Sequence, residues 1–271
     1  MQLIDIGLNL SHASFNHDRD AVVARAEAVG VCHMVLTGSD LAESGVVAGM
    51  AAAEPQRYSG TAGVHPHLAK GWDAGTADGL RALYLQDGIR AVGECGLDYN
   101  RNYSPPEVQR KVFAEQLALA VATGLPVFLH QRDAHADFLA IWDEYRPHLT
   151  APGVAHCYTG EDVELDDYLD RDLYVGITGW ICDERRGHHL REMVGRVPED
   201  RIMLETDAPY LLPRDLEPRP ESRRNEPMHL AHICAVVAAC RGESPELLAA
   251  ASTANAVRFF RLPAISCAAV P

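Results

Sequence analysis

The stretch RAVGECGLDYNRNYSPPEVQRKVFAEQLALAVATGLPVFLH, residues 90–130, carries the pattern that decides the fold. Residues 90–94 are a short apolar run and read as a strand. Residues 106–122 place apolar side chains at three- and four-residue spacing with an acid early, which predicts an amphipathic helix. Residues 125–129 form a second strand, apolar throughout, as in a parallel sheet covered on both faces. The first strand ends on Glu94 and the second runs into His130. Glu94 follows Ala-Val-Gly, where an unpaired buried carboxylate would be costly.

Working outward, the same strand–turn–helix unit recurs at intervals of roughly thirty residues. Further strands are predicted at 3–7, 31–36, 60–64, 153–157, 173–177 and 201–205, and a helix at 18–29. Eight such units predict an α/β fold of the (β/α)8 TIM-barrel type, whose typical size is ~250 residues. A doubly wound open sheet is the rival pattern. Two more helices are expected at 226–240 and 244–260. We read one domain over 1–262 and a short apolar tail, 263–271, ending ISCAAVP.

The 271 residues are 47 % hydrophobic and 23 % charged, which excludes disordered and fibrous classes. No apolar run approaches the ~20 residues of a membrane helix. The start, MQLIDIGLN, has an acid at position 5 and no basic flank, so it does not read as a signal peptide. Seven cysteines, an odd number with no CxxC pair, suit reduced thiols and a cytoplasmic location. A net charge of −14 argues against a broad basic face gripping duplex nucleic acid. It leaves room for an enzyme that handles phosphate in a small cleft with local cations or a metal ion.

In a barrel, functional residues lie where strands end and loops begin. His65 and His67 follow the third predicted strand, Glu94 ends the fourth with Asp98 just beyond, His130 ends the fifth and His156 lies in the sixth. Asp207 follows the eighth, and Asp5 sits within the first. Singly, each has a plain alternative: a hydrogen-bonded histidine, or for Asp98 and Asp207 a helix N-cap. Together they read as a metal site, because imidazole nitrogens and carboxylate oxygens suit ions of the magnesium, manganese and zinc range. Cys95 and Cys157 neighbour proposed ligands, but adjacent strand residues face opposite ways.

These residues also carry a resemblance. TAGVHPH (61–67), VGECGLDYNRN (92–102), PVFLHQRDAH (126–135), HCYTG (156–160), GITGWICDERRG (176–187), LETDAPYLLPRDL (204–216) and SRRNEP (222–227) resemble the TatD family of metal-dependent deoxyribonucleases. The likeness runs over roughly residues 3–262 and extends to the amidohydrolase-like barrels more widely. It implies a magnesium-dependent 3′ to 5′ exonuclease acting on single-stranded DNA and RNA, in DNA repair or turnover. Manganese or zinc are the other ions the donors allow. It places metal ligands on Glu94, His130 and His156, with the acid of a T-D-x-P motif at Asp207. Many relatives begin with D-x-H-x-H on the first strand, whereas this chain has Asp5, Gly7 and Asn9 there. Asn9 is thus a candidate for metal or phosphate, and His65 and His67 for metal or substrate positioning.

A mechanism follows from these parts. Glu94, His130 and His156 hold the ion, and Asp207 takes the proton of the attacking water as general base. Arg132, Arg223 and Arg224 are the phosphate-binding candidates, since arginine forks onto phosphate oxygens. Arg185 and Arg186 are further cations, and Tyr99, Tyr103, Tyr158, Trp180 and Tyr210 are candidates for base stacking. No membrane partner and a monomer are expected. Two rival readings stand beside this one: an ester or amide hydrolase on the same scaffold, such as an aminoacyl-tRNA deacylase, and a binding protein with a vestigial metal site.

Overall fold

The computed structural model describes residues 1–263; the ISCAAVP tail reading lies outside them. Its strands are β1 (Leu3–Leu8), β2 (Val31–Leu36), β3 (Tyr58–Ala62), β4 (Ile89–Asp98), β5 (Val127–Arg132), β6 (Gly153–Ala155), β7 (Tyr174–Ile177) and β8 (Ile202–Leu204). The helices are α1 (Arg19–Ala28), α2 (Leu41–Ala53), α3 (Ala74–Leu83), α4 (Pro106–Thr123), α5 (His135–Tyr145), α6 (Asp162–Leu169), α7 (His188–Met193), α8 (Leu230–Arg241) and α9 (Pro245–Phe260). The strands form one sheet in the order β1 to β8, with parallel pairing. Sequential order is that of a (β/α)8 barrel; a doubly wound sheet would reverse direction at a switch point.

Contacts group the chain into two compact units, Thr37–His156 and Met1–Leu36 with the chain from Cys157 onward. In the first unit, α4 shows how sequence becomes structure. Pro105 and Pro106 open it, Glu107 lies in its first turn, and Gly124 ends it in the left-handed region at φ 67°. Its buried face is Gln109, Val112, Phe113, Gln116, Leu117 and Ala120, at three- and four-residue spacing.

Strand β4 runs four residues past its expected end because Cys95, Gly96, Leu97 and Asp98 stay in register with Leu129, His130, Gln131 and Arg132. Glycines at 93 and 96 make this pairing hard to read in sequence, since glycine is depleted in strands. Both take positive φ, and a Cβ at Gly96 would lie 1.8 Å from the His130 carbonyl oxygen. The third strand ends at Ala62, two residues before its expected end, and the Val64 backbone is taken up by the Gln116 side chain instead.

In the second unit β1 is joined to the segment after β8. Asp207 N donates to Gly7 O (2.8 Å) and Asn9 N to Ala208 O (2.7 Å). Between them, the fully buried Asp5 carboxyl group accepts from Thr206 N (2.9 Å) and Gly7 N (3.3 Å) and is hydrogen-bonded to the Thr206 hydroxyl (2.5 Å). Among the described residues no helix is long and apolar enough to cross a membrane. Cys95, Cys157, Cys182, Cys234 and Cys240 are free thiols.

Burial raises the Asp5 carboxyl to about 8, with the Thr206 and Gly7 hydrogen bonds pulling the other way. The folded chain therefore keeps this proton over a pH range in which the unfolded chain, at an ordinary carboxyl pKa of about 4, has lost it. Stability contributed by Asp5 falls as pH rises through that window. Asp5→Asn keeps an acceptor for the two backbone N–H groups without the charge. Its unfolding free energy relative to wild type is expected to be more favourable near pH 9 than near pH 5, by more than about 1 kcal/mol, in paired urea titrations. Equal differences at both pH values would show that Asp5 is already ionised in the fold.

Candidate metal centre and active site

In the Thr37–His156 unit, four strand ends carry polar side chains into one cluster. His65 and His67 follow β3, Glu94 lies in β4, His130 lies in β5, and His156 is the residue after β6. Two amides of α4 set the backbone beneath them. Gln116 Oε1 accepts from Val64 N (2.7 Å) and its Nε2 donates to Val64 O (2.9 Å), fixing the residue before His65. Gln109 Oε1 accepts from Asp98 N (2.8 Å) and its Nε2 donates to Asp98 O (3.0 Å).

The cluster is organised by two carboxylate oxygens. Glu94 Oε1 lies 2.9 Å from His130 Nδ1, 3.0 Å from His156 Nε2 and 3.4 Å from His65 Nε2. Asp98 Oδ2 lies 2.9 Å from His67 Nε2 and 3.3 Å from His130 Nε2. His130 thus stands between both acids. The donor atoms of His65, Glu94 and His130 lie within 4.8 Å of one another, close enough to share one ion. His156 faces the same oxygen of Glu94 and stacks on Phe128, ring centroids 4.6 Å apart.

Burial alone would raise the Glu94 carboxyl. Interaction with the His65 and His156 imidazoles and hydrogen bonds from His130 and His156 reverse this and hold it well below the usual range. Burial drives His65 down to about 3 against the attraction of Glu94, so its imidazole is neutral at neutral pH. Burial likewise lowers His67. His130 is moved the other way: burial opposes its protonation, but hydrogen bonds to Asp98 and Glu94 raise it. An ionised carboxylate among imidazoles, at least one with its lone pair free of a proton, is a donor set that fits a divalent ion.

From sequence, Asp98 has a helix N-cap as its plain alternative. It is instead the last residue of β4, 1 % exposed, with its side chain on two imidazoles. Gln109 and Gln116 were missed; their signal is a pair of amides on the otherwise apolar face of 106–122. Cys95 lies against the Phe128 carbonyl and Cys157 beside Thr178, neither on Glu94 Oε1.

The other unit holds Asp5, Asn9, Asp207 and most of the arginines. Asn9 Nδ2 donates to Asp207 Oδ1 (3.1 Å), and Tyr210 N closes a turn on Asp207 O. Asp207 is no helix cap, since the next helix is α8, which begins at Leu230. Asp5 faces Thr206 in the seam. Arg224 is held by Asp18, by Glu226 and by the Ser14 carbonyl, with its guanidinium 5.0 Å from the Phe15 ring. Arg185 and Arg186 share the buried Asp183, and Arg186 stacks over Trp180 at 4.4 Å. Arg223 is exposed. Among the described residues Arg132, in the first unit, has no side-chain ion pair. Of the aromatics, Tyr103 (60 % exposed) and Tyr210 (52 %) are open to solvent, whereas Tyr158 is buried with its hydroxyl on Glu161 O, and Tyr99 donates to Asp137.

Removing the charge on Asp98 leaves His67 without its carboxylate partner and His130 with Glu94 alone. Asp98→Asn is expected to weaken manganese binding about 10–100-fold in calorimetric titration with the far-UV dichroism unchanged. Unaltered affinity would show that Asp98 has no part in setting His130.

The chain matches the family model described as TatD related DNase over residues 4–261. A Cronobacter sakazakii protein named 3′-5′ ssDNA/RNA exonuclease TatD is 54 % identical over 262 residues, covering 95 % of this chain and 97 % of the relative. Among solved structures, the TatD homologue YjjV of Escherichia coli K12 superposes with a TM-score of 0.86 at 25 % identity, covering 96 % of this chain and 98 % of that one. A TatD family hydrolase of Entamoeba histolytica gives 0.88 at 24 %, covering 97 % and 99 %. With a family model spanning nearly its full length and relatives half identical to it, this chain belongs to the TatD-related DNase family.

Proposed function

We propose that the protein is a divalent-metal-dependent exonuclease that shortens single-stranded DNA and RNA from the 3′ end, the activity for which its half-identical relatives are named. The observation that carries this reading is the convergence of His65, His130 and His156 on one oxygen of Glu94. Glu94, His130 and His156 are the ligands we assign, with His65 as an additional donor and His67 positioning the cluster through Asp98. The ion is magnesium, as the family resemblance implies; manganese and zinc suit the same donors. When bound, a divalent ion supplies Lewis acidity, lowering the pKa of water and neutralising charge on a phosphoryl oxygen.

The chain's own residues do the rest. Asp207 accepts the proton of the attacking water on its carboxylate, whose Oδ1 the Asn9 amide keeps oriented. Arg132 and Arg223 hold substrate phosphates, because neither guanidinium is committed to an acid among the described residues. Arg224, already on Asp18 and Glu226, anchors the loop that carries Arg223. Tyr103 offers an exposed ring for a base beside His67, ring centroids 4.8 Å apart. A net charge of −14 disfavours a long duplex and supports the single-strand preference. A monomer and a cytoplasmic setting complete the proposal, and the five free thiols support the latter.

The test is a time course on a 5′-labelled single-stranded oligonucleotide with magnesium, with and without chelator. A ladder shortening from the 3′ end, abolished by chelator and by Glu94→Ala, is expected; a blunt duplex of the same sequence is expected to be cut more slowly. No cleavage with any divalent ion would sink the nuclease reading. Asp207→Asn is expected to lower kcat by about 10²–10⁴ while metal affinity stays within a few fold, the signature of a base and not a ligand. Loss of metal as complete as in His130→Ala would assign Asp207 to the metal instead.

A further inference from the structure

A second group of metal-ligating side chains lies in the unit that contains β7 and β8. Cys182 ends the short turn Gly179–Cys182 after β7, Asp215 lies in the segment after β8, and His232 lies in the first turn of α8. One donor atom of each lies within 4.8 Å of the others. His232 Nε2 is 2.7 Å from Asp215 Oδ1. The other Asp215 oxygen is 3.3 Å from Arg191 Nη2, and Arg191 Nε donates to the Ile181 carbonyl at 2.8 Å. Arg191 therefore fixes the backbone next to Cys182 and the Asp215 carboxylate with the same side chain, leaving Oδ1 turned to His232. The Cys182 thiol is fully buried, while Asp215 and His232 keep 30 % and 31 % of their side-chain surface in solvent, which gives an ion a way in.

We propose that Cys182, Asp215 and His232 form a second metal site, specific for zinc-like ions, that ties the turn after β7 to α8. The donor chemistry separates it from the Glu94 centre: a thiolate with an imidazole and one carboxylate selects zinc or cobalt over magnesium. Three protein donors leave a fourth position for water, and no substrate chemistry is assigned to it. Binding releases the thiol proton of Cys182.

The experiment uses the full chain, stripped of metal and titrated with cobalt(II). Thiolate-to-cobalt charge transfer gives a near-ultraviolet absorption band that no histidine or carboxylate ligand produces, so the Glu94 centre is silent in this channel. One equivalent of cobalt is expected to develop the band, zinc to abolish it, and His130→Ala to leave it unchanged. Cys182→Ser is expected to remove it. His232→Gln, at a partly exposed helical position where folding is not at risk, is expected to weaken cobalt binding at least about tenfold. Absence of the band in wild type, its persistence in Cys182→Ser, or undiminished affinity in His232→Gln would each overturn the proposal. None of these outcomes depends on exonuclease activity.

Discussion

Glu94 brings a charge to a place that water scarcely reaches, 8 % exposed, and much of the surrounding architecture answers to that one fact. A lone carboxylate there would take up a proton; three imbricated imidazoles keep it ionised instead. The arrangement is reciprocal, because the same burial that endangers the carboxylate strips His65 of its proton. Removing one partner of such a buried set typically costs about 3–5 kcal/mol, since the remaining charge stays behind uncompensated. Gly93 and Gly96 belong to this constraint as well. Their positive φ values and the absence of Cβ atoms let β4 approach β5 closely enough to bring His130 onto both acids.

How much of this was readable in the sequence varies with the range of the interactions involved. Strands such as 31–36 appear within the expected bounds because an apolar β-rich run bounded by turns is a local signal. The helix at 106–122 is displaced by one residue at its end for the same reason. The end of β4 was not readable, because Gly96 pairs with His130 for steric reasons that only the neighbouring strand supplies. Asp98 falls in the same gap: a carboxylate four residues beyond an expected strand end looks like a helix cap until the strand is seen to continue. Gln109 and Gln116 escaped because a helical pattern counts what is apolar, and a buried amide spends its polarity on distant backbone. The clustered histidines are visible as a set because each lies at or near the end of a strand predicted from the sequence.

The arginines show the limit of reading charge from position. Arg223 and Arg224 are adjacent, yet Arg224 is locked into a four-membered network with Arg25, Asp18 and Glu226, while Arg223 extends into solvent. Likewise Arg185 and Arg186, in an arginine-rich motif, converge on a single buried acid at Asp183. In a chain of net charge −14, most cations have an acid within reach, and the ones left for a ligand are few.

The Glu94 cluster is drawn wholly from residues 65–156, whereas Asn9 and Asp207, which share a hydrogen bond, are 198 positions apart. Vectorial synthesis therefore sets an order of assembly. Every imidazole and carboxylate of the cluster has been synthesised once His156 is made, with residues 157–271 still to come. The Asn9–Asp207 pair must wait until the end of β1 is met by the segment after β8, whose Asp207 is made 198 residues after Asn9. A nascent chain of this protein thus carries its full complement of cluster side chains long before it carries its proposed base, and the potential to capture an ion precedes the potential to use it.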